Sequence, residues 1–458
     1  MNLRPYQAEA IAQLREGFKT HQRQLLVLPT GAGKTITFAA MASAALAKGR
    51  TVLVLTDRLQ LLEQAFDALY HLRPSNIRKN PYAPLTIGMV ETAARRILPY
   101  RDLIIIDEAH KGNFFKVLDR HPNTRVIGAT ATPLHPRIPD YYTNTVEPVQ
   151  IPELIDNGYL SPVAPYQIES DLKGLRTRNG DYTEASQYAA FNTPRIYGQA
   201  LEHYRALGQA PALYFCANIQ HAKDTAAAFR EAGIRAASVT SDDPHRDSTL
   251  AAFHKGEIDL ITNCGILTTG YDHPPIRTIG ILRATQSIPL WLQMCGRGSR
   301  IFPGKTDFTI IDHGNNHTRI GRWDAPRTWD NSPEKDKDPG APPIRICPKC
   351  RAAIPAQSRT CPFCNTTMPT PPTPPPPPGV ATLVSLTPDL TGRLASTLSI
   401  AELIQAEREH LLTTPQVHRI LRSRGMAALQ HYARIKGYKP GWAMQNIRFD
   451  KTPIDWVL

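Results

Sequence analysis

Three short stretches of the chain carry residue types at spacings that suit phosphate chemistry. The first is Pro29-Thr30-Gly31-Ala32-Gly33-Lys34-Thr35, which follows directly on the apolar run Leu25-Leu26-Val27-Leu28. A buried strand, a glycine-rich turn, Lys-Thr and then a helix is the context in which backbone N–H groups close around phosphate oxygens. The helix N-terminus adds partial positive charge. Lys34 is expected to reach the β- and γ-phosphates, and Thr35 to ligate Mg²⁺ through its hydroxyl. One departure from the usual spaced pattern is Leu28 where the first glycine would stand, so Gly31 takes over the turn.

The second stretch is Asp107-Glu108-Ala109-His110, delivered by the apolar run Leu103-Ile104-Ile105-Ile106. Two carboxylates at the C-terminal end of a buried strand lie where open α/β sheets bind ligands. Asp107 suits Mg²⁺, and Glu108 suits a base that orients and deprotonates an attacking water. The third stretch, Gln293-Met294-Cys295-Gly296-Arg297-Gly298-Ser299-Arg300, supplies the cations that phosphoryl transfer needs on its developing charge. A three-residue spacing predicts that Arg297 and Arg300 share one helical face. They lie far along the chain from the first two stretches, so a site using all three forms in a cleft between domains that ligand binding closes.

The elements that must position these residues are legible. Apolar runs at Gln24–Leu28, Thr51–Leu55, Leu103–Ile106 and Arg125–Gly128 alternate with helical stretches, including the alanine-rich Thr35–Lys48. Continuous apolar strands between helices predict a parallel sheet covered on both faces. The theme repeats at Ala212–Phe215, Ala236–Val239, Asp259–Thr262, Thr278–Leu282 and Phe308–Ile311, with helices expected near Gln220–Ala232 and Ser287–Cys295. The fold class is therefore α/β, with two tandem parallel-sheet domains at 1–145 and 211–325, a connector with short helices at 146–210 and a polar linker at 326–345.

A cysteine module at 346–366 follows. Cys347-Pro348-Lys349-Cys350 and Cys361-Pro362-Phe363-Cys364 form two C-x₂-C knuckles, and four thiolates complete a closed, structural Zn²⁺ site. A module this short draws much of its folding energy from the metal. The remaining cysteines, Cys216, Cys264 and Cys295, stand singly in apolar stretches and read as small core residues. A proline-rich linker, 367–379, favours an extended spacer. The last segment, 380–458, is mainly helical. Between His410 and Phe449 it holds seven Lys or Arg and no acidic residue, interleaved with Tyr432, Tyr438 and Trp442. Such groups can neutralise phosphates and stack on bases, or can be a core with a solvated face. Deleting 347–458 is expected to leave the rest folded.

Net charge is +13 over 458 residues, which favours a polyanionic partner. No run reaches the about 18 apolar residues that a spanning helix needs, and the N-terminus lacks the layout of a signal peptide, so a cytoplasmic protein without membrane contact is expected.

Taken together, residues 1–312 resemble the two-RecA-domain core of superfamily 2 helicases. Arg4-Pro5-Tyr6-Gln7 resembles the adenine-recognition motif, which implies that Gln7, with Arg4, reads the base of ATP. Leu55-Thr56-Asp57-Arg58 with Leu61-Leu62-Glu63-Gln64 resembles motif Ia, and Gly128-Ala129-Thr130-Ala131-Thr132-Pro133 resembles motif III. Leu213-Tyr214-Phe215-Cys216 resembles motif IV, and Leu267-Thr268-Thr269-Gly270-Tyr271-Asp272 resembles motif V, which brings Gly270 and Asp272 to the nucleotide. Gln293 to Arg300 resembles motif VI, and the cysteine module a zinc ribbon. Ile266 to Asp272 and Pro303-Gly304-Lys305-Thr306-Asp307 are most similar to bacterial and phage helicases related to type III restriction motors and RadD. The resemblance implies ATP, Mg²⁺ and a nucleic-acid partner, DNA over RNA, with a role in repair, recombination or phage replication. It leaves open an RNA-stimulated ATPase or the motor subunit of a restriction system, and a protein partner for the ribbon or tail. A recruitment factor with a vestigial ATPase fits less well, since Lys34, Asp107, Glu108, Arg297 and Arg300 are all present.

Overall fold

The computed structural model describes residues 3–56, 66, 72–111, 114–178, 180–268, 270–329, 341–369, 398–409, 412–439 and 441–446. The chain divides into two compact units, 1–368 and 369–458.

The first unit holds two parallel sheets. In chain order the strands of the first are β1 (Arg23–Val27), β2 (Val52–Leu55), β3 (Ser75–Asn76), β4 (Leu85–Gly88), β5 (Leu103–Asp107), β6 (Arg125–Thr130) and β7 (Asn144–Val146). They pair in the order β3-β4-β2-β5-β6-β1-β7. The order matters for chemistry: β5, β6 and β1 are neighbours, in register as Ile106↔Gly128 and Leu25↔Gly128. Their C-terminal ends deliver the carboxylates, the Thr130–Thr132 turn and the phosphate loop to one edge.

A helix, Ile151–Asp156, leads to β8 (Val163–Gln167). A small hairpin, β9 (Thr177–Arg178) and β10 (Asp181–Tyr182), precedes β11 (Ala212–Cys216), β12 (Ala236–Val239), β13 (Leu260–Asn263), β14 (Thr278–Leu282) and β15 (Phe308–Asp312). The second sheet runs β12-β13-β11-β14-β15-β8. The stretch between the two strand-rich regions is thus more than a connector, because β8 forms an edge of the second sheet, with Ile310 opposite Pro165. A proline is tolerated there because an edge strand spares one side of its ladder.

Residues beyond Asp312 also pack inward. Trp323 is fully buried, and Trp329 lies against the apolar clusters of the first domain. Gln150 and Arg327 exchange two hydrogen bonds of 3.1 Å, tying this returning segment to the start of the interdomain helix. One apolar cluster runs from Leu26 through Val149, Leu154 and Leu160 to Leu213 and Phe308. Each such side chain contributes about 1.5–3 kcal/mol on burial, so the two domains share a core at their junction.

Among the described residues no helix is long and apolar enough to cross a membrane.

Candidate nucleotide site and metal centre

The phosphate loop turns on two glycines with positive φ, Gly31 at 94° and Gly33 at 80°. Side chains are disfavoured there. Gly33 caps the helix Lys34–Leu46, whose N-terminus faces the loop. Lys34 Nζ stands 3.6 Å from Glu108 Oε1, and Thr35 lies half-buried in the same first turn.

Glu108 itself has φ 52°, in the left-handed region at the end of β5. A non-glycine residue held there costs about 1–2 kcal/mol, a cost that aims its carboxylate away from the strand. The N–H of Glu108 donates to Asp107 Oδ1 (3.0 Å), and Thr56 Oγ1 donates to Asp107 Oδ2 (3.4 Å). His110 Nδ1 lies 2.8 Å from Thr130 Oγ1 and 3.4 Å from Glu108 Oε2. The Thr130 hydroxyl donates to the carbonyl of Thr132 and accepts from the Thr132 N–H. With that proton committed, His110 Nδ1 is the donor to Thr130. His110 is thus hydrogen-bonded to the turn after β6, with its ring beside the Glu108 carboxylate.

Gln7 is buried, with its Nε2 donating to Ala32 O at 3.1 Å and its Oε1 accepting from Arg4 N at 3.0 Å. The Tyr6 hydroxyl also donates to Ala32 O, at 2.8 Å. The Arg4 guanidinium lies 4.7 Å over the ring of Tyr159. Tyr159 has no counterpart among the sequence candidates, and nothing in the sequence spacing singles it out.

Motif VI departs from the expected geometry in one respect. The helix Ile288–Cys295 ends before the arginines, so Arg297 and Arg300 do not share a helical face but occupy the turn beyond it. Gly296 and Gly298 weaken any continuation of the helix, since glycine has a low helix propensity; Gly296 itself stays right-handed at the helix end, with φ −62°. Gly298 also lets the turn press onto the second sheet, for a Cβ there would stand 2.3 Å from Phe308. Gln293 is half-buried in the last helical turn, and its carbonyl accepts from Arg297 Nε at 3.4 Å. Arg297 is buried and donates through Nη1 to the carbonyl of Tyr271. Arg300 Nε donates to Asp272 Oδ1 at 3.0 Å. Its Nη1 lies 2.9 Å from where a Cβ on Gly31 would stand. Asp272 follows the positive-φ Gly270. The second domain thus reaches the phosphate loop of the first.

Residues 1–135 match the family described as type III restriction enzyme, res subunit, and residues 198–302 match the helicase conserved C-terminal domain. The chain belongs to the superfamily 2 helicases, in their restriction-motor-like branch. Among relatives, a 51.5 kDa protein of Lactococcus phage (isolate 7-9) is 29% identical over 73% of this chain and 76% of its own length. The type I restriction enzyme EcoAI endonuclease subunit of Escherichia coli is 26% identical over 73% of this chain, which spans 48% of that longer subunit. A fragment of a type I restriction HsdR subunit from Vibrio vulnificus YJ016 shares the fold, with TM-score 0.57 and 23% identity over 72% of this chain and 67% of that one.

In this chain the motif IV residues Leu213 to Cys216 are all buried in β11. Of motif Ia, Leu55 and Thr56 are buried at the end of β2; Asp57, Arg58 and Leu61 to Gln64 lie outside the described residues, as does Thr269 of motif V.

The cysteine module is a hairpin of β16 (Ile344–Ile346) and β17 (Ala353–Pro355) with its knuckles stacked. All four Sγ atoms of Cys347, Cys350, Cys361 and Cys364 lie within 4.8 Å of one another, with two separations of 3.6 Å. Thiolates arranged tetrahedrally about zinc at about 2.3 Å stand about 3.8 Å apart, so the donor set fits that metal. The knuckles are built alike: Arg351 and Asn365, each four residues past the first cysteine, have φ of 63° and 55° and return their N–H to Cys347 O and Cys361 O.

The module belongs to the first compact unit. Gln167 N donates to Arg351 O at 3.0 Å, Tyr166 bridges Ala352, and Arg322 donates to Ala353 O at 3.2 Å. It therefore covers the β8 edge of the second sheet. A cut at residue 347 thus falls inside this compact unit and uncovers a strand edge.

The second unit has helices Ile400–Arg408, Thr414–Ser423, Met426–Lys436 and Trp442–Asn446. Glu407 accepts from Thr414 Oγ1 (2.6 Å) and Tyr432 OH (2.7 Å) and pairs with Lys436 (3.0 Å). Those hydrogen bonds hold its carboxylate below the usual range despite burial. Tyr432 is fully buried, and Trp442 packs against Tyr438 with ring centroids 4.7 Å apart. Tyr432 is therefore a core residue, whereas Trp442 is half-buried and Tyr438 exposed. The proline-rich stretch and the Arg419 side chain lie outside the described residues.

Proposed function

We propose that this chain is an ATP-dependent DNA translocase or helicase whose ATP site is the cleft between its two α/β domains. The observation that carries the reading is Arg300 of the second domain, paired to Asp272 and set against Gly31 of the phosphate loop. A cation contributed across the cleft makes turnover depend on domain closure, the coupling a motor needs. Lys34 binds the terminal phosphates, and the loop Gly31-Ala32-Gly33 wraps them with backbone N–H groups. Thr35 and Asp107 would hold Mg²⁺, which supplies charge neutralisation on the phosphates. Glu108, with His110 beside it, takes the proton of the attacking water. Arg297, Arg300 and Gln293 face the developing charge, Gly270 and Asp272 place them, and Gln7 with Arg4 reads the base.

DNA is favoured by the restriction-enzyme relatives and by the basic charge; repair, recombination or phage replication in the cytoplasm is the setting that fits them. We assign 1–145 and 211–325, the latter completed by β8 from the stretch between them, as the motor domains, 346–366 as a zinc ribbon and 380–458 as a basic helical tail suited to DNA or a protein partner. The test of the cleft is Arg300→Ala. A kcat loss of about 100-fold or more with a small change in KM for ATP supports it; a wild-type kcat would eliminate it.

A further inference from the structure

Lys305 lies in the turn that follows motif VI, and its ammonium is turned inward. Nζ donates to three carbonyl oxygens: Pro274 at 3.2 Å, Gly298 at 2.5 Å and Arg300 at 2.9 Å. An ammonium has three donors, and all three are matched. Pro274 follows the Asp272 loop of motif V, while Gly298 and Arg300 form the arginine turn of motif VI. One side chain thus ties both loops together. A second residue completes the collar from the start of the second domain. Ser161 N donates to Ser299 O at 2.7 Å, and Ser161 Oγ donates to Arg300 O at 2.9 Å. Every carbonyl from Gly298 to Arg300 is held, although no helix or strand contains them. Beside Ser161, Leu160 packs against the phosphate loop, with Cδ2 2.8 Å from a Cβ built on Gly31.

A turn after a helix end has no ladder to fix its backbone. The Arg300 guanidinium can be held at the phosphate loop only if the backbone that carries it is held too. We propose that Lys305 is a positioning residue for Arg300, fixing with Ser161 the Gly298–Arg300 backbone so that the guanidinium meets the phosphates as the domains close. The proposal rests on the reading of Arg300 as an ATP-site cation, and concerns what makes that cation effective.

The test compares Lys305→Met, Ser161→Ala, Arg300→Ala and the doubles Lys305→Met/Arg300→Ala and Ser161→Ala/Arg300→Ala in the full chain, by steady-state ATPase kinetics with single-stranded DNA present. Lys305→Met should lower kcat by about tenfold to a hundredfold, the loss expected when a reacting group is misplaced by an ångström or less, with KM for ATP within about threefold. Ser161→Ala, which keeps its backbone bond, should lose less. Each double should be no slower than Arg300→Ala alone, because the collar has nothing left to position. A structural role would instead make the losses multiply. Wild-type kcat in Arg300→Ala overturns the cation reading; a slow Arg300→Ala beside wild-type Lys305→Met, or multiplying losses, overturns the collar alone. If Lys305→Met fails to fold, Ser161→Ala and its double decide by the same criterion.

Discussion

Replacing Gly31 by alanine probes the cleft with a single methyl group. Gly31 has φ +94°, where an L-residue is strained by about 1–2 kcal/mol. The new Cβ would stand 2.8 Å from Leu160 Cδ2, 2.9 Å from Arg300 Nη1 and 3.4 Å from Ser299 Oγ. Non-bonded carbons approach only to about 3.5 Å, so the ends of Leu160 and Arg300 must retreat by roughly half an ångström or more. Both are flexible side-chain ends, so the clash is relieved by moving the guanidinium rather than by unfolding. The strain should lower the thermal midpoint by about 2–6 °C. The displaced cation should lower kcat by about tenfold to a hundredfold. Gly33→Ala makes the contrast: its Cβ would meet Gln7 Nε2 at 2.6 Å, so it should act chiefly on KM for ATP. Coupled ATPase assays at saturating ATP, beside thermal melts, separate the two. A Gly31→Ala protein that melts lower yet turns over at the wild-type rate would refute the placement of Arg300 at the phosphate loop.

Other expectations concern the base, the metal and the tail. Glu108→Gln should bind a fluorescent ATP analogue normally and lose about 100-fold or more in kcat; hydrolysis at the wild-type rate would remove Glu108 as the base. Purified protein should carry one zinc per chain by elemental analysis, and Cys350→Ser should both lose it and sensitise the first unit to protease, since the ribbon covers β8 through Gln167 and Tyr166. An equally resistant zinc-free protein would show that the edge needs no cover. Ending the chain after Met368, at the boundary between the units, should keep basal ATPase while weakening DNA binding and flattening its salt dependence. Unchanged affinity and slope would dismiss the tail as a DNA contact.

The phosphate loop and the Asp107-Glu108 pair were readable because local chemistry decides them: four apolar residues make a buried strand, and glycine makes the turn that follows. The second sheet was readable for the same reason, except at its edge. In β8 buried and half-buried residues alternate around Pro165, which reads as a broken strand until β15 is placed beside it. The arginine turn is not legible from three-residue spacing, because Gly296 and Gly298 lower the helix propensity just where the helix stops at Cys295. Tyr159 and Ser161 carry no signal in the sequence, and the stretch 303–307 shows a resemblance but not the role of Lys305: the partners of all three lie far away in the chain or are backbone carbonyls, which no spacing encodes. In the tail, Tyr432 and Trp442 interleave with basic residues in sequence, yet packing against Glu407 and His418 occupies them.

The central claim is that ATP turnover in the interdomain cleft answers to DNA. Steady-state ATPase activity should be measured at one salt concentration with no nucleic acid, single-stranded DNA, duplex DNA, forked DNA or RNA, using Lys34→Ala as the blank. The account predicts strong stimulation by at least one DNA form, weaker stimulation by RNA, and none in the blank. Turnover indifferent to every DNA form, or driven by RNA alone, would contradict it.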